Sequence, residues 1–351
     1  MARKVIRSNQ LSDTRVLIIY TGGTIGMIQD PVARTLKPFN FNKIVSEIPE
    51  LKKFNIDIDV VSFKPVIDSS NMTPDHWMKM AEIIQDNYSE YQGFVILHGT
   101  DTLSYTASAL SYMLQNLDKT VVLTGSQLPV KEIRTDAPEN LITAIEIAST
   151  MIRNKSVVPE VCVYFDYMLL RGNRSCKHSS AKFEAFHSPN YPPLAEAGVN
   201  IKYNHEYISK RNNRKFSLNK SFKPAIGHLM LFPGITQEFI SNVLASPGIK
   251  ALVLETYGAG NGPTANWFLK ELSDSIKKGL IVLNISQCAA GSVTQGKYAT
   301  SKSLRDIGVI GGSDMTREAA VTKLMFLLGQ GLKPSVIKKR LKISISGELT
   351  P

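Results

Sequence analysis

Few cysteines, few histidines and no long apolar run mark this sequence, and each scarcity argues against a class of function. Three cysteines in 351 residues, Cys162, Cys176 and Cys288, stand far apart without a C-x-x-C pair. That spacing suits neither a zinc ribbon nor a disulfide framework, and it fits a reducing compartment. The six histidines include no H-E-x-x-H and no recognisable Ser-His-Asp order, so neither a metal nor an organic cofactor is implied. His98 reads as a structural hydrogen-bonding group and His178 as support for its neighbour Lys177. No apolar run approaches membrane-spanning length, and Met1 to Ser12 is polar and basic without the apolar stretch of a signal peptide. The expectation is a cytoplasmic protein with no membrane partner.

Acidic residues are also in short supply, 30 against 41 Lys and Arg, a formal net charge of +11. Clustered cations are the footprint of phosphate binding. Here the excess concentrates around Lys202, Lys210, Arg211, Arg214, Lys215, Lys220 and Lys223, among Asn and Ser and without periodicity, which is the composition of an exposed connector. No nucleic-acid partner is expected.

Short apolar runs alternate with helical patterns along the chain, which predicts an α/β fold with parallel strands. Strands are expected at Val16–Tyr20, Ile56–Phe63, Phe94–His98, Val121–Thr124 and Val161–Phe165. Between them fall a helix capped by Thr73-Pro74, a stripe from Leu103 to Leu117, and a helix through Leu141, Ile145 and Ile152. After the Pro-containing stretch Ser188–Pro193 and the basic connector the pattern restarts. Strands are expected at His228–Phe232, Ala251–Thr256 and Leu280–Ile285, with helices around Phe239–Leu244, Trp267–Ile276 and Ala319–Leu327. A chain of this length suits two domains. The boundaries read as 1–195, a connector at 196–224, and 225–351.

Two turns carry the chemistry. Thr21-Gly22-Gly23-Thr24-Ile25-Gly26 closes the first strand, and His98-Gly99-Thr100-Asp101-Thr102 closes the run Gly93–Leu97. Ligands of parallel sheets bind beyond the carboxyl ends of the strands. The dinucleotide fingerprint needs glycine where Thr21 stands, and no Lys-Ser/Thr pair follows to make a P-loop. Nucleotide binding and a purely structural turn both stay open on residue types alone. Thr24 favours acyl transfer, which uses a hydroxyl there.

The pair TGGTIG and HGTDT resembles the bacterial-type L-asparaginases, and most resembles their type I cytoplasmic branch. The likeness continues in order through Thr124-Gly125-Ser126-Gln127, Arg171–Lys177, Tyr257–Asn261 and Gly311–Thr316. It implies a two-domain asparaginase fold. The larger N-terminal domain has a mixed sheet, and the smaller C-terminal domain is flavodoxin- or Rossmann-like. The implied activity is hydrolysis of L-asparagine to aspartate and ammonia, with minor glutaminase activity, in a homo-oligomer (a dimer or dimer of dimers) whose sites lie between subunits.

By motif position, Thr24 matches the nucleophile, and Thr100, Asp101 and Lys177 a second group. Ser69, with Ser70 beside it, matches the contact to the substrate's α-carboxylate. Gly99 and Asp101 line the same pocket, Asp101 holding the α-ammonium. Lys177 serves either as base or, paired with Asp101, as a group that polarises Thr100 and orients water. Many relatives carry a tyrosine in the lid after the first turn. Met27 to Pro38 has none, and Leu36 stands near its place. Tyr298 and Asn261 are the neighbour-subunit candidates; some type I members are regulated by substrate at a second site, and Cys176 and Glu255 fall where one would be sought. Two other functions fit the same residues: an ammonia-releasing amidotransferase subunit and a non-catalytic asparagine sensor.

Overall fold

The computed structural model describes residues 3–6, 14–29, 36–38, 47–211, 213–296 and 299–350. The chain divides into two compact units, Met1–Lys220 and Ser221–Pro351.

The first unit is built on a nine-stranded sheet. Its centre is five parallel strands in the spatial order Asp57–Ser62, Arg15–Tyr20, Gly93–Leu97, Thr120–Thr124, Val161–Phe165. Both faces of these strands are covered, which is why they read as continuous apolar runs rather than alternating ones. Val16, Ile18, Tyr20, Val95, Leu97 and Val122 pack in one core with Leu141, Ala144, Ile145 and Ala148 of the helix Ala137–Ser149. The intervening Leu17, Ile19, Phe94 and Ile96 are equally buried.

This order has one reversal. From Arg15–Tyr20 the chain crosses to Asp57–Ser62 on one side, then returns to Gly93–Leu97 on the other. The loops leaving Tyr20 and Leu97 therefore part company at adjacent strand ends, the crevice where open α/β sheets bind ligands. Arg3–Ile6 closes one edge antiparallel. Met168–Arg171, Ala195–Ala197 and Ile201–Tyr203 extend the other edge, also antiparallel.

Three expectations need correction. Residues 196–220 pack with the first unit, so the first unit runs on to Lys220 and the connector expected at 196–224 is largely structured. Its cations are partly fastened: Arg211 donates to the carbonyls of Asp118 and Ser156, and Lys220 pairs with Glu82. Short, half-exposed antiparallel strands carry too few apolar residues to be told from a polar connector. The helix expected to reach Ile152 ends at Ser149, and Ile152 sits exposed in a two-residue strand paired with Lys155. The Leu103 stripe gives a helix only to Met113, because Leu114–Gln115 pairs with Ser217–Leu218.

The helix start at Thr73 is as expected, with Pro74 at the first position. His76 takes the part usually played by Glu or Gln, its Nδ1 accepting the Thr73 backbone N–H at 3.1 Å.

The second unit has four parallel strands in chain order, Ile226–Met230, Ala251–Thr256, Ile281–Ser286 and Ile310–Gly311, without a reversal. Leu252, Leu254, Phe268, Leu272 and Val282 form its core. Lys323, on the helix Arg317–Gly329, is wholly buried. It pairs with the equally buried Glu348 at 2.6 Å and donates to the carbonyls of Leu341 and Ile343.

Glu255 is buried too, between His228 at 2.7 Å and Arg317. Burial alone would raise its carboxyl, but these partners hold it down to about 2. The Glu255 carboxylate is thus engaged within its own unit. No helix among the described residues is long and apolar enough to cross a membrane.

Candidate active site

The two hydroxyl-bearing turns meet at the reversal. Thr21 N–H and Oγ1 both donate to the Leu97 carbonyl, at 3.0 and 2.9 Å, and His98 N–H donates to Thr124 O at 2.9 Å. The loop holding Ser69 joins them, since Ile67 N–H donates to Thr21 O at 2.7 Å and Thr102 Oγ1 to Ser69 O at 2.7 Å. Three strand ends and one crossing loop are thereby fixed to one another.

Glycine is what lets them approach. Gly23 has φ +90°, and a Cβ there would lie 2.5 Å from Gly99 N and 2.6 Å from its Cα. A Cβ on Gly99 would meet Ser69 Oγ at 2.5 Å. Thr24 and Thr100 each follow one of these two abutting glycines, so backbone contact sets their separation. Gly23→Ala is accordingly expected to push the turns apart. We expect a folded protein, by circular dichroism, with turnover reduced roughly a hundredfold, the usual penalty of an ångström's misplacement. Wild-type turnover in that variant would show that the contact is not required.

Lys177 arrives from another direction, on the two-residue strand Cys176–Lys177, which pairs with Phe186–His187 as a hairpin. Its ammonium donates to Thr100 Oγ1 at 2.7 Å and Asp101 Oδ1 at 2.8 Å. Thr100 is nearly buried, whereas the Asp101 side chain is 65% exposed and faces the open side. Ser69 is buried. Ser70 is exposed, and its hydroxyl donates to Asp68 at 2.8 Å.

Among the sequence-derived candidates, Thr24, Ser69, Gly99, Thr100, Asp101 and Lys177 come together here. Tyr298 lies outside the described residues, as do residues 30–35 of the lid. The backbone on either side of those six residues pairs as a hairpin, Met27–Gln29 with Leu36–Pro38. Asn261, in the second unit, accepts a hydrogen bond from Thr300.

His98 is structural. Its Nδ1–H donates to Gly99 O at 2.7 Å, and its Nε2 accepts from Thr106 Oγ1 at 2.9 Å. Thr106 in turn accepts from the Trp77 indole. Complete burial pushes the imidazole down to about 4, against a smaller upward effect of the Gly99 bond, so the ring is neutral and holds the turn.

Composition and motif gave no role to Gln127. Its carboxamide lies between Thr100 Oγ1, at 3.4 Å, and the Lys182 carbonyl, at 2.9 Å. Its backbone N–H is held by both carboxylate oxygens of Asp136, at 3.1 and 3.0 Å, and Asn140 braces the same turn through Gly125 O. The only signal in the sequence was its place in the Thr124–Gln127 turn. Among the described residues no group of three His, Cys, Asp or Glu side chains is arranged to hold a metal ion.

A hydroxyl beside an ammonium and a carboxylate, on a turn whose glycine abuts the turn that bears Thr24, is equipment for acyl transfer. Fold and site define an enzyme of the amidohydrolase class. Residues 15–209 match the family described as Asparaginase, N-terminal, and residues 225–341 the Glutaminase/Asparaginase C-terminal domain. The chain belongs to the asparaginase family. It is 41% identical to L-asparaginase 1 of Escherichia coli K12 over 96% of this chain and 98% of that protein. Among solved structures it resembles L-asparaginase I of Vibrio cholerae (39% identity, TM-score 0.88, 97% of this chain and 100% of that one). The thermostable L-asparaginase of Thermococcus kodakarensis is also similar (31% identity, TM-score 0.88, 96% and 100%).

Proposed function

We propose that this protein hydrolyses L-asparagine to L-aspartate and ammonia through an acyl-enzyme on Thr24. The observation that carries the reading is the Lys177–Thr100–Asp101 group, placed by a glycine contact against the turn that bears Thr24. Thr24 Oγ attacks the side-chain carboxamide carbon. Its proton passes to the amide nitrogen, which departs as ammonia. Water then attacks the resulting ester, returning a proton to Thr24 Oγ as aspartate leaves. The exposed carboxylate of Asp101 suits the α-ammonium and Ser69 the α-carboxylate, so the two recognised ends measure the distance to Thr24. The Gly22–Gly23 turn supplies backbone N–H groups for the oxyanion. The reading extends to a cytoplasmic homo-oligomer.

Lys177 is already a donor to two oxygens. This favours its role as a group that polarises Thr100 over that of a base toward it.

The test is ammonia release from asparagine, glutamine and short-chain amides, with and without EDTA. Hydrolysis of asparagine undiminished by the chelator is expected. Glutamine should be disfavoured by about 1–3 kcal/mol, the worth of one methylene in a fitted pocket. Chelator-dependent loss restored by zinc would overturn the mechanism, and equal specificity constants for the two amides would overturn the two-ended recognition.

A further inference from the structure

We infer that Gln127 is a positioning residue that fixes the direction of the Thr100 hydroxyl and ties it to the hairpin carrying Lys177; the inference rests on the function proposed above. The orientation of its carboxamide follows from its partners. The Lys182 carbonyl only accepts, so Nε2 faces it, and Oε1 is left toward Thr100. The Lys177 ammonium only donates, so Thr100 Oγ1 accepts from it, and the threonine's own proton turns to Gln127 Oε1.

The polarity of the chain is therefore single. Lys177 donates to Thr100, Thr100 to Gln127, and Gln127 to the Lys182 carbonyl. Two of the three directions available at Thr100 Oγ1 are taken, which leaves one lone pair to accept from the water that attacks the ester on Thr24. The 3.4 Å contact to Thr100 is the longest of the three bonds in this chain.

Gln127 also joins parts of the chain that the sequence keeps apart. Its backbone is set by Asp136, at the start of the helix Ala137–Ser149, and its amide reaches the 178–185 loop of the Cys176–Lys177 hairpin. That loop is otherwise held by its own bonds, among them Ser179 Oγ accepting from the backbone N–H of Ala181 and Lys182. The carboxamide is thus a tether between Thr100 and the element that positions Lys177.

Gln127→Leu removes both bonds at similar size. Turnover on asparagine is expected to fall about 10- to 100-fold, up to the penalty of an ångström's misplacement, with KM changed less than about threefold. Gln127→Glu discriminates an orienting role from a space-filling one. As a carboxylate it repels the Lys182 carbonyl. Once protonated it both donates to that carbonyl and accepts from Thr100. The ratio of its turnover to that of the unmodified enzyme should therefore rise as pH falls toward the glutamate range, and a Gln127→Leu ratio should stay flat.

Hydrogen exchange of residues 178–185, measured without substrate, supplies a readout independent of activity. In Gln127→Leu it should quicken at least fivefold. Unchanged exchange would overturn the tether. A flat pH ratio for Gln127→Glu, or turnover of Gln127→Leu within twofold of the unmodified enzyme, would overturn the orienting role. An unmodified protein that releases no ammonia from asparagine would sink the function proposal, while the exchange result still decides the tether.

Discussion

Thr24→Ala is expected to fold normally, form no acyl-enzyme and lose turnover by roughly 10⁴- to 10⁶-fold, the scale seen when a nucleophile is deleted. The expectation follows from the division of labour in the site. Thr100 is nearly buried and hydrogen-bonded to Lys177, whereas Thr24 starts the short turn on the far side of the glycine contact. Thr100→Ala should be slow in a different manner, still accumulating the adduct with a reactive asparagine analogue but failing to clear it. Mass spectrometry of trapped protein separates the two cases, and an adduct on Thr100 in the unmodified enzyme would reverse the assignment. Lys177→Met removes the donor that polarises Thr100 and the partner of Asp101 together. Turnover should drop on the order of a thousandfold with the melting temperature nearly unchanged. The ion pair is half open to solvent, and such pairs add little stability. A mild kinetic effect would make Lys177 a structural residue.

The second large effect concerns stability. Lys323→Met leaves the Glu348 carboxylate buried without its counter-ion, and breaking a buried pair from one side costs about 3–5 kcal/mol. The lysine is itself strained in this setting: burial lowers its pKa, and Glu348 works against that fall. Glu348 does more than pair with Lys323, since it accepts the backbone N–H groups of Ile345 and Ser346. The informative partner substitution is therefore Glu348→Gln, which keeps an acceptor for those amides while removing the charge. Denaturant titration of Lys323→Met and of Lys323→Met/Glu348→Gln should show the double variant recovering much of the loss. A double variant no better than the single would mean that the carbonyl contacts of Lys323, not its charge, hold the segment.

What was legible beforehand divides along physical lines. Val16–Tyr20, Phe94–His98 and Val161–Phe165 were plain because a parallel strand covered on both faces must be apolar throughout. Thr24 stood out because acyl transfer uses a hydroxyl at that turn, whereas Thr100, Asp101 and Lys177 were proposed through the resemblance that the ordered motifs carry. The strands at 195–197 and 201–203 were hidden, since an edge strand half in water has little apolar signature, and the basic residues near them pointed to a connector. Gln127 was hidden for another reason. Its meaning lies in the carbonyl of Lys182, 55 residues away, and a glutamine in isolation does not announce which way its amide will face. The single reversal of strand order was likewise beyond periodicity, although it decides which two loops open the crevice.

For altering substrate range, the glycine contact divides the molecule into places to leave and places to diversify. A side chain at Gly23 would part the two turns and one at Gly99 would displace Ser69, and the sheet beneath them is packed on both faces. By contrast, residues 180–182 and Ser70–Asn71 are exposed loop positions near Lys177 and Ser69. Libraries confined to those loops would reshape the rim beside Lys177 and Ser69 while the spacing of the two threonines stays the same. Selection for a longer amide would then act on the length of the pocket and not on the chemistry at its floor.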